Sequence, residues 1–140
     1  MSLTKKIDNF IWKIVTLKDQ KAKKLFIDIR ESRKLYEKIK LHRLETILVG
    51  FCERNSIEIP KKYKHIVYET HNKNSVKTLI TINDAFKLAR KFNGKINYIF
   101  LKGITFISEQ SMYIRNMRDI DILVDENDLE EAVKIAHSLG

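Results

Sequence analysis

The chain has 140 residues, 44% of them hydrophobic and 32% charged, with a formal net charge of +9 at pH 7. That length suits one ordinary domain, or one domain with an added subdomain, and the apolar share is enough for a packed core. No apolar run approaches the ~20 residues of a membrane span, the apolar stretch near the N-terminus is too short for a secretory signal, and the single cysteine, Cys52, excludes an intrachain disulfide.

A reducing, cytoplasmic location with no membrane partner is the expectation from this cysteine usage. The charge is uneven. Residues 1–74 carry 18 Lys/Arg against 9 Asp/Glu, whereas residues 75–140 carry 9 against 9. A basic front half attracts anions such as nucleic acid, nucleotides or acidic lipid head groups. Lysine-rich helices with solvated faces give the same composition, and no Arg/aromatic interleaving marks a nucleic-acid groove.

In chain order, Phe10, Ile11, Ile14, Val15 and Leu17 recur at helical spacing, with Trp12 expected as a core anchor. The pattern continues through Leu35, Ile39, Leu44, Leu48 and Phe51 with lysines on the opposite face, and one or two breaks are expected on the way. Cys52 reads as a small buried hydrophobe on this stretch. Asn55-Ser56 and Pro60 end the run, and Pro60 opens a short helix; a second helix is expected over Ser75–Phe92, with Val76, Leu79, Ile82, Phe86, Ala89 and Phe92 on one face and Gly94 as its stop.

Then the period changes. Asn97–Leu101 is a continuous apolar run, as in a strand covered on both faces. A helix is expected to start at once after Gly103, residues 114–118 to form a loop, and residues 119–124, "DIDILV", a second strand. Asn127 with Glu130 resembles a capping box, ahead of a helix whose face is Leu129, Val133, Ala136 and Leu139. The four histidines show no metal-binding spacing. The fold class expected is α+β: a basic helical region, residues 1–71, followed by a core, residues 72–140, built on a small mixed sheet flanked by helices. Two strands are marginal alone, so a third is expected beyond Gly140.

Two carboxylates, Asp119 and Asp121, stand where the second strand should be burying apolar surface. Residues two apart in a strand face the same side, with Cα atoms about 6.5–7 Å apart. Ionised carboxylates so close repel, and a divalent cation offsets that repulsion well because hard cations prefer carboxylate oxygen. Such a pair can hold one Mg²⁺ or bridge two ions in phosphoryl-transfer chemistry; in a bare form it can equally be two solvated side chains at a strand end. The context favours a site. Gly103 lies at the junction of the first strand and the next helix, where a ligand can approach the backbone and helix N–H groups receive anions. Lys102 adds a point charge suited to phosphate. Antiparallel or mixed pairing would bring this turn and the carboxylate pair to one edge. Arg115 and Arg118 precede the pair, either as salt-bridge partners or as triphosphate contacts.

These residues resemble the uncharacterised nucleotidyltransferase family of the DNA polymerase β-like superfamily. The shared pattern is an apolar strand ending in Lys-Gly, a short helix ending in Tyr, then Arg-x-x-x-Asp-x-Asp followed by aliphatics; here it falls on Lys102, Gly103, Tyr113, Arg115, Asp119 and Asp121. The resemblance is clear over about residues 95–140, weaker back to about 72, and leaves out the N-terminal helices. It implies transfer of a nucleoside monophosphate from an NTP to an acceptor hydroxyl on a protein, a small molecule or RNA, with Mg²⁺ and room for two ions. It also implies that Gly103 is the phosphate turn, that Asp119 and Asp121 are metal ligands and catalytic residues, and that Lys102 and Arg115 are basic contacts. Two departures stand out. Ile104 follows the glycine where the pattern has Ser or Gly, and the third carboxylate of the superfamily lies on a later strand, which places it beyond this chain. The rival expectation is a binding module without chemistry, using the basic helices to hold nucleic acid or an acidic partner.

Overall fold

The structure is a computed structural model and describes residues 1–101, 104–105 and 117–139. It divides into two compact units, Met1–Lys73 and Asn74–Gly140.

The first unit contains helices α1 (Leu3–Val15), α2 (Asp19–Ile29), α3 (Arg33–Leu41) and α4 (Glu45–Arg54), together with the first turns of α5 (Lys61–Phe92). Ser2 caps α1, its hydroxyl accepting from the Lys5 N–H at 3.4 Å. Three links rest on non-glycine residues in the left-handed region: Leu17 after α1, Arg43 after α3 and Ser56 after α4. Such residues turn the chain sharply at some cost in backbone strain. The core forms where Phe10, Phe26 and Phe51 meet, one from each of three helices, with ring centroids 5.2, 5.4 and 5.6 Å apart. Ile7, Ile14, Ile29, Leu35, Ile39 and Leu48 surround them and are fully buried. Arg54 closes α4 onto the start of α2 through a 2.8 Å ion pair with Asp19.

Several expectations for this unit hold. Phe10, Ile14, Leu35, Ile39, Leu48 and Phe51 are core, and Cys52 is buried. Trp12 is a correction: it is 63% exposed. It sits two residues from Phe10 and Ile14, about 200° away around the helix, so it cannot share their buried stripe. Val15 and Leu17 are likewise exposed.

The two helices expected on either side of Asn74 are one, α5, 32 residues long. Neither Gly nor Pro occurs within it, and Asn72, Asn74 and Ser75 only weaken a helix without ending it. Gly94 ends it as expected, at φ +73, while the N–H groups of Lys95 and Ile96 both return to the Phe92 carbonyl.

In the second unit, strands β1 (Tyr98–Leu101) and β2 (Asp121–Val124) form an antiparallel pair, followed by a 3₁₀ turn (Glu126–Asp128) and α6 (Leu129–Ser138). The α+β class holds. One sheet face packs: Tyr98, Ile122 and Val124 gather with Leu88, Phe92, Ile96, Ala132 and Ile135. The other is open, with Ile99 and Leu123 exposed opposite each other. This corrects the expectation of a strand covered on both faces. The expected helix faces shift too. From Asn74 onward in α5 the buried positions are Asn74, Thr78, Ala85 and Phe92, while Val76, Leu79 and Phe86 are exposed. In α6 the buried residue is Ala132, and Leu129 and Val133 are exposed. Small residues permit close approach at the packed stripe, and the bulkier set lies beside it. The cap also moves: Asp125, not Asn127, opens the 3₁₀ turn by accepting from the Asn127 N–H at 2.9 Å. The helix expected directly after Gly103 lies outside the described residues.

Candidate active site

The candidate site lies at the end of the ladder where β1 finishes and β2 begins. The register pairs Tyr98 with Val124, Ile99 with Leu123, Phe100 with Ile122 and Leu101 with Asp121. Pairing is antiparallel, as the proximity argument required. Asp121 is therefore directly across from Leu101, the residue whose chain neighbour is Lys102.

β2 is shorter than expected. It starts at Asp121, so Asp119 and Ile120 precede the paired strand rather than belonging to it. Among the described residues the ladder's last rung is Leu101 with Asp121. Asp119 is exposed and Asp121 half-buried. By strand alternation Asp121 shares the open face with Leu123, Ile99 and Leu101, while Ile122 and Val124 point to the packed side. The second carboxylate thus stands beside apolar side chains on a solvent-facing surface.

Three hydrogen bonds fix the backbone on either side of this segment. Upstream, the N–H of buried Met117 donates to the hydroxyl of buried Thr78 on α5 at 3.2 Å. Downstream, the Asn97 N–H donates to the Asp128 carboxylate at 3.0 Å, and the Asp125 N–H to the Asn97 carbonyl at 3.3 Å. These clamps hold the two ends of the Arg118–Val124 segment against α5 and the head of β1. Sequence reasoning missed Thr78, Met117 and Asp128. For Thr78 a signal existed: a hydroxyl four residues after Asn74, one turn along the same helix face.

Arg118 is exposed beside Asp119. Lys102, Gly103 and Arg115 lie outside the described residues, as does Tyr113. Among the described residues no three His, Cys, Asp or Glu side chains form a metal-holding group. Asp119 and Asp121 are the carboxylates of this segment, and their hard oxygens suit Mg²⁺, which commonly takes one or two carboxylates and completes its shell with water and substrate phosphate. In kind, the donor set fits.

No described helix is long and apolar enough to cross a membrane. No curated protein and no solved structure matches the chain. A model of the uncharacterised nucleotidyltransferases matches residues 30–140, reaching back through α3 and α4, which the motif resemblance left out. With most of its length matched, the chain belongs to the uncharacterised nucleotidyltransferase family.

Proposed function

We propose that this chain is a Mg²⁺-dependent nucleotidyltransferase domain that moves a nucleoside monophosphate from an NTP to an acceptor hydroxyl, with Asp119 and Asp121 as its metal-binding and catalytic pair. Family membership supports nucleotidyl transfer in general terms. The observation that carries the finer reading is the register: Leu101 opposite Asp121, with Lys102 and Gly103 next in the chain.

In this reading Asp119 and Asp121 hold the ion. Bound Mg²⁺ supplies neutralisation of phosphate charge. The chain's own residues bind and orient the substrate. Gly103 admits phosphate close to the backbone, Lys102 offers a point charge, and Arg115 offers a planar fork for two phosphate oxygens. The transfer forms a bond between the acceptor oxygen and the α-phosphorus and breaks the bond to the pyrophosphate oxygen, so that pyrophosphate is released and the hydroxyl proton passes to water. Calorimetry of NTP–Mg²⁺ binding to the wild-type chain and to Asp121→Asn tests the assignment. The expected result is a loss of about tenfold or more in affinity for the variant. Equal affinities in a folded variant would remove Asp121 from the site.

A second reading, nucleic-acid or acidic-partner binding without chemistry, is favoured by one observation: the entire charge excess lies in residues 1–74. It calls for RNA or DNA affinity that falls steeply with added salt. No binding at low ionic strength rejects it.

A further inference from the structure

The first unit contains a cavity that the phosphoryl-transfer reading does not use. It has a volume of about 290 Å³ and lies among α3, the head of α4 and the first turns of α5. Its walls are apolar: Ile39 and Val67 are buried, and the Tyr36 ring stacks on Tyr63 with centroids 3.7 Å apart. All of these residues fall inside the span matched by the family, 30–140.

Two polar residues of this wall make no side-chain contact with another polar group. Glu45, 5% exposed, makes no ion pair or hydrogen bond among the described residues. Tyr36, 9% exposed, has a hydroxyl with no hydrogen-bond partner among them. Buried hydroxyls are nearly always satisfied, and a carboxylate that loses its water to a guest without gaining a partner is costly. The rim is different. Arg33 and Glu37 pair with each other at 2.7 Å and are exposed, as is Lys40. The one charged residue of this lining that is itself mostly buried is therefore acidic, in an otherwise apolar and aromatic chamber.

We infer that this cavity is a binding site for a small organic cation: a primary amine or amidinium on a flat apolar body, its nitrogen on the Glu45 carboxylate and its body against Tyr36, Ile39 and Val67. An anion would meet Glu45 with no buried cation to offset it. A neutral apolar guest would fill the space and leave the carboxylate unpaired.

The test is a ¹⁵N NMR titration of the full chain with benzylamine, with benzyl alcohol as the neutral isostere and benzoate as the anion. Benzylamine is expected to move the amides of residues 36–40, 45 and 63–67 saturably, and to bind about tenfold more tightly than the alcohol. Glu45→Gln is expected to reduce benzylamine to the alcohol's affinity. Ile66 is 58% exposed on the rim, so Ile66→Lys keeps the fold and is expected to weaken benzylamine by repulsion while leaving the alcohol unchanged. Equal affinities for amine and alcohol overturn the inference, as do tighter binding of benzoate or shifts scattered away from these residues. If Glu45→Gln does not fold, Ile66→Lys decides, and unchanged benzylamine affinity in it overturns the inference as well.

Discussion

At the scale of single residues, burial and charge conflict most plainly at His71, in the last residues of the first unit. Its Nδ1 is buried with no hydrogen-bond partner among the described residues, and its ring meets the edge of Tyr68 at 6.3 Å between centroids. Desolvation holds the imidazole below its ordinary value, and the Glu53 carboxylate offsets only part of that. The unfolded chain, with an unperturbed histidine near 6.5, takes up the proton before the folded chain does. His71 therefore costs the fold nothing above pH 6.5, and stability is lost as pH falls from there through the lowered folded value. Melting temperatures measured between pH 7.5 and 5.5 should fall for wild type and fall less for His71→Gln. Parallel decline in both would remove His71 as the cause. Cys52 illustrates the same physics without consequence for function: burial pushes its thiol up to about 12, so it stays protonated and inert as a small core residue.

Elements were legible in the sequence wherever a local rule dominates. The antiparallel pair followed from one strand ending at Lys-Gly and the next beginning at the carboxylates. The stop at Gly94 followed from the conformational freedom of glycine. The breaks among the first four helices were not legible, because Leu17 and Arg43 carry no turn signal yet adopt left-handed geometry. The fusion into α5 was hidden because asparagine and serine mimic a boundary that only Gly or Pro would enforce. The buried faces of α5 and α6 were misread because bulky side chains dominate any count of apolar spacing, while packing selected Thr78, Ala85 and Ala132. At the site, Asp119 and Asp121 were visible as a pair, but the length of β2 is set by its partner strand and is not encoded locally. Gly94 gives the element-scale prediction. A Cβ there meets nothing within 4 Å, so only the backbone at φ +73 opposes a side chain. Gly94→Ala should cost about 1–2 kcal/mol in urea denaturation, and Gly94→Asn less, because asparagine tolerates that region. Equal losses for the two would point to a lost contact instead of backbone strain.

On the scale of the whole molecule, each unit has its own apolar cluster: the three phenylalanines with their aliphatic surround in residues 1–73, and Phe92, Ile96 and Ala132 with the sheet in residues 74–139. The basic excess and the amine-sized cavity belong to the first, the carboxylate pair to the second. A chain whose clusters are separate should lose them separately, since cooperative opening follows contiguous packed units. Phe26 is the sharpest probe. It is fully buried between Phe10 and Phe51, stacked on one and edge-on to the other. Phe26→Ala leaves a cavity that neighbouring rings cannot refill, at a cost of about 3–5 kcal/mol. Native-state hydrogen exchange should then show amides of α1, α2 and α4 exchanging about 100-fold faster or more. Amides of Phe100 and Ile122, in the sheet, should change by less than about tenfold. A uniform acceleration across both sets would mean that the two clusters open as one cooperative body, and the division at the middle of α5 would then describe packing density without describing how the molecule unfolds.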